Sequence, residues 1–267
     1  MSKKINQGEQ MEISIKRDYA VVKHNFLVQK SRYDLTLAEQ RALAYIVSLI
    51  KPTIATSATY NVPYQLEYEF DIWEYAKICG LESDGGMLYQ TTKNLLKGLM
   101  IKIMYIELSN GDEDMITWFT RVRTNKRSGK AIVEINKYLV PYLFDLQNDY
   151  TIFDLLNILA MKSQYSIRIY ELMRSHTYQK TVVYDTARLK KMLMIDDSKA
   201  YVRFNNVKQR ILEPAMAEIN KYTDLAVSYE PITKGRKVVK IQFIIKKKDA
   251  FERFLANTSA NTDISGS

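Results

Sequence analysis

Three groups of side chains in this sequence have the types and spacing to read a nucleic acid. Arg203, Asn205, Asn206, Lys208, Gln209 and Arg210 crowd the start of one helical stretch. Asn and Gln pair bidentately with adenine edges, and Arg with guanine. Lys234, Arg236 and Lys237 surround Gly235 in a turn, where exposed cations meet phosphates. Gln90, Lys93, Asn94 and Lys97 share one face of an earlier helical pattern, opposite Leu88, Thr92, Leu95 and Leu99. Arg123, Lys126 and Arg127 lie around a second hairpin, with Arg121 and Lys130 beside them. The alternative for each group is a solvated polar face. Against it in the C-terminal group, the cations cluster with only Glu213 nearby.

Bond-making chemistry finds no comparable set. The two histidines, His24 and His176, are far apart and form no His-x-His pair, which disfavours a nicking enzyme despite the many tyrosines. Ser128-Gly129-Lys130 lacks the spacing of a phosphate-binding loop. No Cys/His set has zinc spacing. Asp112-Glu113-Asp114 and Asp196-Asp197 sit in turns, where solvated charge is the ordinary explanation. The expectation is a binding protein with no catalytic residues, no metal and no cofactor.

Charge agrees with a polyanionic partner. The chain has 267 residues, 39 Lys+Arg against 30 Asp+Glu, and net charge +9. Residues 1–136 carry 18 basic and 16 acidic side chains, and residues 137–267 carry 21 and 14. Lys and Arg gain affinity by displacing the counterions condensed on phosphates. The single Cys79 rules out an intramolecular disulfide and fits a reducing compartment. No apolar run approaches 18 residues and Met1–Glu12 lacks a signal-peptide core, so a cytoplasmic protein without a membrane partner is expected.

The elements that must position these residues repeat. Thr36-Leu37-Ala38-Glu39 is a capping box that opens a helix. A strand at Leu66–Phe70, a short helix opened by Asp71, a longer helix around Leu88–Leu99 and strand-like runs Ile101–Leu108, Met115–Arg123 and Lys130–Ile135 follow. Then the order returns: a helix capped by Ser163, a strand at Val182–Tyr184, a short helix, a long helix at Phe204–Tyr222 and a hairpin at Leu225–Glu230 and Val238–Ile245. Val207, Ile211, Ala215 and Ile219 recur every four residues and should face the core. Pro214 should bend that helix. Strands are also expected at Val21–Val28 and Tyr150–Leu159, and Trp73 and Trp118 on apolar faces. A helix followed by a hairpin with a basic tip outlines a winged helix.

Four segments in order resemble the plasmid replication initiator family, the iteron-binding Rep proteins. They are Ser31 to Arg41, Lys162 to Leu172, Arg210 to Asn220 with Thr223-Asp224-Leu225, and Lys234 to Val238. The resemblance implies an α+β fold of two tandem winged-helix domains, each a helix-turn-helix plus a β-hairpin wing. It implies binding to repeated double-stranded DNA of a plasmid origin, monomers active in initiation and dimers that repress the initiator's own gene. It also implies a dimer surface on the first domain, with the strands between Ile101 and Ile135 as candidates, and host initiator, helicase and chaperone proteins as partners. The expected organisation is a flexible segment at 1–20, a first winged domain at 21–136, a second and main DNA reader at 137–256, and a disordered tail at 257–267. A dedicated transcription repressor and a nicking initiator are the alternatives.

Overall fold

The computed structural model describes residues 19–50, 64–81, 85–146 and 148–265. Its organising feature is one topology used twice. In the first unit, helix α2 (Leu37–Leu49) leads to strand β3 (Glu67–Asp71), short helix α3 (Ile72–Cys79), long helix α4 (Gly85–Ile101) and the hairpin β6 (Phe119–Asn125) and β7 (Lys130–Ile135). In the second, α7 (Gln164–Ser175) leads to β9 (Thr181–Asp185), α8 (Thr186–Met192), a long helical rod over residues 204–222, and the hairpin β10 (Leu225–Lys234) and β11 (Lys237–Lys247). Each hairpin binds its lone strand through the later of its two strands, giving the orders β3-β7-β6 and β9-β11-β10. The chain is therefore an α+β protein of two winged-helix units.

Local chemistry starts these helices where the sequence says. Thr36 Oγ1 accepts the Glu39 amide at 3.3 Å, and Glu39 Oε2 accepts the Thr36 amide at 2.7 Å, so the capping box closes in both directions. Asp71 Oδ1 accepts the amides of Trp73 and Glu74, and Ser163 Oγ accepts that of Tyr165. Each cap satisfies donors the first helical turn leaves over.

A further layer joins the units. Strand β1 (Ala20–His24) pairs antiparallel with β8 (Tyr150–Asp154), from Ala20 opposite Asp154 to His24 opposite Tyr150. Each is followed by a short helix, α1 (Asn25–Lys30) after β1 and α6 (Leu155–Leu159) after β8. The repeat thus extends to the leading strand of each unit, and those two strands meet. The first unit also carries a second sheet, in which β2 (Ser31–Tyr33), β4 (Ile103–Glu107) and β5 (Glu113–Thr117) run in the order β2-β4-β5. One apolar core runs beneath all of this.

Several expectations need correction. The run Val21–Val28 turns from strand to helix at Asn25, where His24 Nδ1 accepts the Phe26 amide. Tyr150–Leu159 does the same at Leu155. Met115–Arg123 is two strands in two sheets, divided at buried Trp118. Trp73 does not sit on an apolar face; it is 58 % exposed. Between β7 and β8 a 3-10 turn (Lys137–Leu139) precedes the short helix α5 (Val140–Leu143) that holds Pro141.

The largest correction is the tail. Residues 257–265 belong to a helix, α11 (Ala250–Ser265). Asp249 and Glu252 cap it reciprocally at 2.8 and 2.9 Å. Thr258, Ser259 and Thr262 donate their hydroxyls to the carbonyls of Phe254, Leu255 and Thr258, which removes the competition that usually keeps such residues out of helices. Ala256, Ala260 and Ile264 make the buried stripe. Residues 1–18 of the expected flexible segment, and 266–267 of the tail, lie outside the described residues.

Candidate nucleic-acid interface

The rod of the second unit is built as its four-residue period demands. Val207, Ile211, Ala215 and Ile219 are all buried, and Asn205, Lys208, Gln209 and Arg210 are all exposed on the other side. Burial of a side chain of Val or Ile size contributes roughly 1.5–3 kcal/mol, so the inward face fixes the rod's rotation. Pro214 shapes the rod by a specific route. It has no N–H to donate to Arg210, and its ring crowds that carbonyl. The rod widens just before it: α9 (Phe204–Val207) passes into a π-turn (Lys208–Leu212), in which the Glu213 amide reaches back to the Lys208 carbonyl, and α10 (Glu213–Tyr222) follows. The widened turn is the one that carries Lys208, Gln209 and Arg210 outward.

Asn220 bonds the wing to this rod through both ends of its amide. Asn220 Nδ2 donates to the Val227 carbonyl at 2.9 Å, and the Val227 amide donates to Asn220 Oδ1 at 2.6 Å. At the far end of the hairpin, Gly235 and Arg236 form a two-residue turn between paired Lys234 and Lys237. Gly235 has φ 61 and Arg236 has negative φ, the pattern of a type II′ turn, which puts glycine first. Lys234, Arg236 and Lys237 are exposed, with no acidic partner among the described residues.

Nearer the helix, Arg203 and Arg210 are likewise exposed without an acidic partner among the described residues, while Lys208 lies 3.6 Å from Glu213. Asn206 departs from expectation. It is half-buried, and its Nδ2 donates to the Ala200 carbonyl at 2.7 Å, so it holds the turn that enters the rod.

In the first unit, α4 presents Gln90, Lys93, Asn94 and Lys97 outward, opposite buried Leu88, Thr92, Leu96 and Leu99. Gln90 and Asn94 are tied to each other at 3.0 Å. Tyr89 donates to Thr124 Oγ1 at 3.0 Å, which fixes the helix against strand β6 of its wing. Asn125 closes the wing tip by accepting the amides of Arg127 and Ser128. The cations of this wing divide into two kinds. Arg121 is neutralised by Glu67 and Glu134, and Lys130 by Glu69. Arg123, Lys126 and Arg127 are exposed and have no acidic partner among the described residues.

The groups associated with catalysis are occupied structurally. His24 caps α1, and His176 Nε2 lies 2.9 Å from the Tyr184 hydroxyl. Burial holds both imidazoles below their usual range. Burial also pushes the Tyr165 and Tyr184 phenols up to about 12, away from the reactive phenolate. No three His, Cys, Asp or Glu side chains among the described residues converge on a metal position. The basic run Arg188, Lys190 and Lys191 on α8 is not among the expected contact residues. It faces Glu107 and Asp196 across an open groove of about 490 Å³. Its signal was present as cations on the short helix ahead of the rod.

Comparison with known proteins decides the family. Residues 20–174 match the family model of the initiator replication protein WH1 domain, and residues 185–245 match that of the initiator Rep protein WH2 domain. The chain belongs to the replication initiator (Rep) protein family. This Rep protein is similar to a "Replication initiation protein" of Escherichia coli, 26% identical over 204 residues. That match takes in 73% of this chain and 60% of the relative. An "Uncharacterized 27.6 kDa protein" of Escherichia coli is 24% identical over 119 residues, 45% of this chain and 49% of that one. The Rep chain thus spans about half to three fifths of the length of these curated relatives. Among solved structures, the Pi initiator protein, crystallised in complex with iteron DNA, has the same fold. The TM-score is 0.65 at 20% identity, over 87% of this chain and 99% of that one.

Proposed function

We propose that this Rep protein initiates plasmid replication by binding repeated double-stranded origin sites sequence-specifically. One observation carries the reading: each winged unit presents a long helix with a polar outer face beside a hairpin tip, and Arg123, Lys126 and Arg127 on one tip and Lys234, Arg236 and Lys237 on the other are exposed with no acidic partner among the described residues. Helices of this kind read base edges, and wings hold phosphates. The division of labour follows the expected domains, with a first reader within 21–136 and a second, more basic one within 137–256. Binding deforms the origin and recruits host initiator, helicase and chaperone proteins. A dimeric form, joined through the first unit, represses the protein's own gene. The protein acts in the cytoplasm, without metal, nucleotide or covalent chemistry. No helix among the described residues is long and apolar enough to cross a membrane.

The test uses the DNA flanking the protein's own gene. Footprinting finds the sites, and the gene supplied in trans to a plasmid carrying that DNA is expected to support its replication. Binding and repression without replication would assign a dedicated repressor. Nicking of the supercoiled plasmid with divalent metal would assign a relaxase-like enzyme.

A further inference from the structure

Val202 stands immediately before the rod, and its side chain is 70 % exposed. Exposure alone says little, since lone apolar side chains are common on surfaces. The backbone around it says more. Lys190 Nζ, from α8, donates to the Val202 carbonyl at 3.1 Å. Asn206 Nδ2 donates to the Ala200 carbonyl at 2.7 Å, and the Asn206 amide to the Arg203 carbonyl at 3.1 Å. Tyr201, the preceding residue, turns the other way and meets the Tyr165 ring edge-on at 6.1 Å between centroids. The turn is therefore held by three hydrogen bonds and a ring contact while the Val202 side chain projects from it.

The ordinary role for an apolar residue here is absent. Arg203 occupies the N-cap position of the rod without a side-chain cap bond, so Val202 holds the position from which a hydrophobic staple packs onto Val207. Val207 is buried and Val202 is not, so no staple forms. Valine is also stiff about χ1, so little rotamer freedom is lost when it is covered. Its sequence neighbours Arg203 and Asn205 are exposed polar side chains at the same end of the rod. The major groove offers one apolar feature to such a side chain, the C5-methyl group of thymine.

We infer that Val202 is a specificity residue that packs on a thymine methyl at the base pair entered by the N-terminal end of the rod. The inference rests on the DNA-binding reading above. It makes the second unit's readout partly apolar, with Asn205, Gln209 and Arg210 supplying the polar part.

The test pairs a side-chain deletion with a methyl deletion. Duplexes are recovered from a random pool by selection with the full-length protein, and each thymine of the recovered site is replaced singly by uracil, which removes only the methyl. Wild type is expected to lose roughly three- to fivefold in affinity at one thymine, the size of one buried methyl-sized group. Val202→Ala should lose a similar factor on the thymine duplex and become indifferent to uracil there. Val183→Ala, an exposed valine on β9, should behave as wild type, and thermal melting checks that each variant is folded. Full retention of the uracil penalty in Val202→Ala, or no penalty at any thymine in wild type, overturns the inference and leaves DNA binding standing. Recovery of no duplex by wild type overturns the DNA reading and the inference together.

Discussion

Lys23 Nζ lies 2.6 Å from Oε1 of Glu171, and both side chains are 3 % exposed. Tyr33 donates to the other carboxylate oxygen at 3.1 Å, and Arg168 lies 3.5 Å from it. Arg168 also donates to the carbonyls of Val28 and Ser31. This buried network ties the opening strands of the first unit to the leading helix of the second.

Removing one partner of a buried ion pair leaves an uncompensated charge and costs about 3–5 kcal/mol. Glu171→Gln should lower the unfolding free energy by that order in a denaturant titration. Burial opposes ionisation of Glu171, but Lys23 and Arg168 outweigh it and hold the carboxyl below its usual 4.5. A depressed carboxyl contributes stability that is present above its unfolded value and lost as pH falls through the folded one. Stability should therefore fall as pH drops below 4.5, with a smaller slope in Glu171→Gln. An equal acid slope in both proteins would remove Glu171 as a source.

At the candidate interface, Arg210 and Lys234 should separate cleanly. Arg210→Ala is expected to cost roughly 1–3 kcal/mol on the specific site and to blunt discrimination there. Lys234→Ala should weaken all sequences alike and flatten the logarithmic salt dependence by about one unit. Competition binding at several salt concentrations measures both. Unchanged specific affinity in Arg210→Ala would take it off the contact surface.

Gly80 and Ile264 test how the C-terminal helix is seated. Gly80 ends α3 with φ 64, and a Cβ there would lie 2.8 Å from Ile264 Cγ2. Gly80→Ala incurs the left-handed backbone cost of roughly 1–2 kcal/mol plus that overlap. Adding Ile264→Ala should recover part of the loss, as read by the unfolding midpoint. Strictly additive losses would mean that α11 does not press on this cap in solution.

Self-association should use the outer face of the sheet β2-β4-β5. Ile103 is 44 % and Met115 64 % exposed, and β5 is an edge strand. Met115→Lys and Ile103→Lys should each weaken the dimer about tenfold or more, the effect of a central interface residue. Sedimentation of the full-length chain measures it, and equal association constants in all three proteins would move the surface elsewhere.

The two units should occupy successive major grooves on one face of the duplex, about 10–10.5 bp apart. A monomer is then expected to protect roughly 20 bp of a site that need not be palindromic, because the two readers differ in sequence. The more basic second half should hold its groove more tightly. Protection of a single groove, or binding confined to symmetric inverted sites, would refute the tandem arrangement.

Much of this protein is legible before folding is considered. The four-residue spacing of Val207 to Ile219, the capping box at Thr36 and the glycine at the second wing tip are local rules, satisfied by bonds within a few residues. They set the helix, its inward face and the exposed cations of the wing. The repeated order of elements is the sum of such rules, and the tandem winged fold follows from it. Tertiary structure decided whatever needs a distant partner. Arg121 and Lys130 read as wing cations until β3 brings Glu67 and Glu69 beside them. Trp118 is buried against the ring of Tyr33 at the point where one strand-like run passes from one sheet to another, a change composition does not mark. The Ser/Thr/Asn-rich tail becomes helix because Asp263 meets Lys221 and Tyr222, and Ile264 meets Gly80. Periodicity is a property of the chain's own backbone, whereas neutralisation and burial are properties of the neighbour that arrives, and chain order alone does not name it.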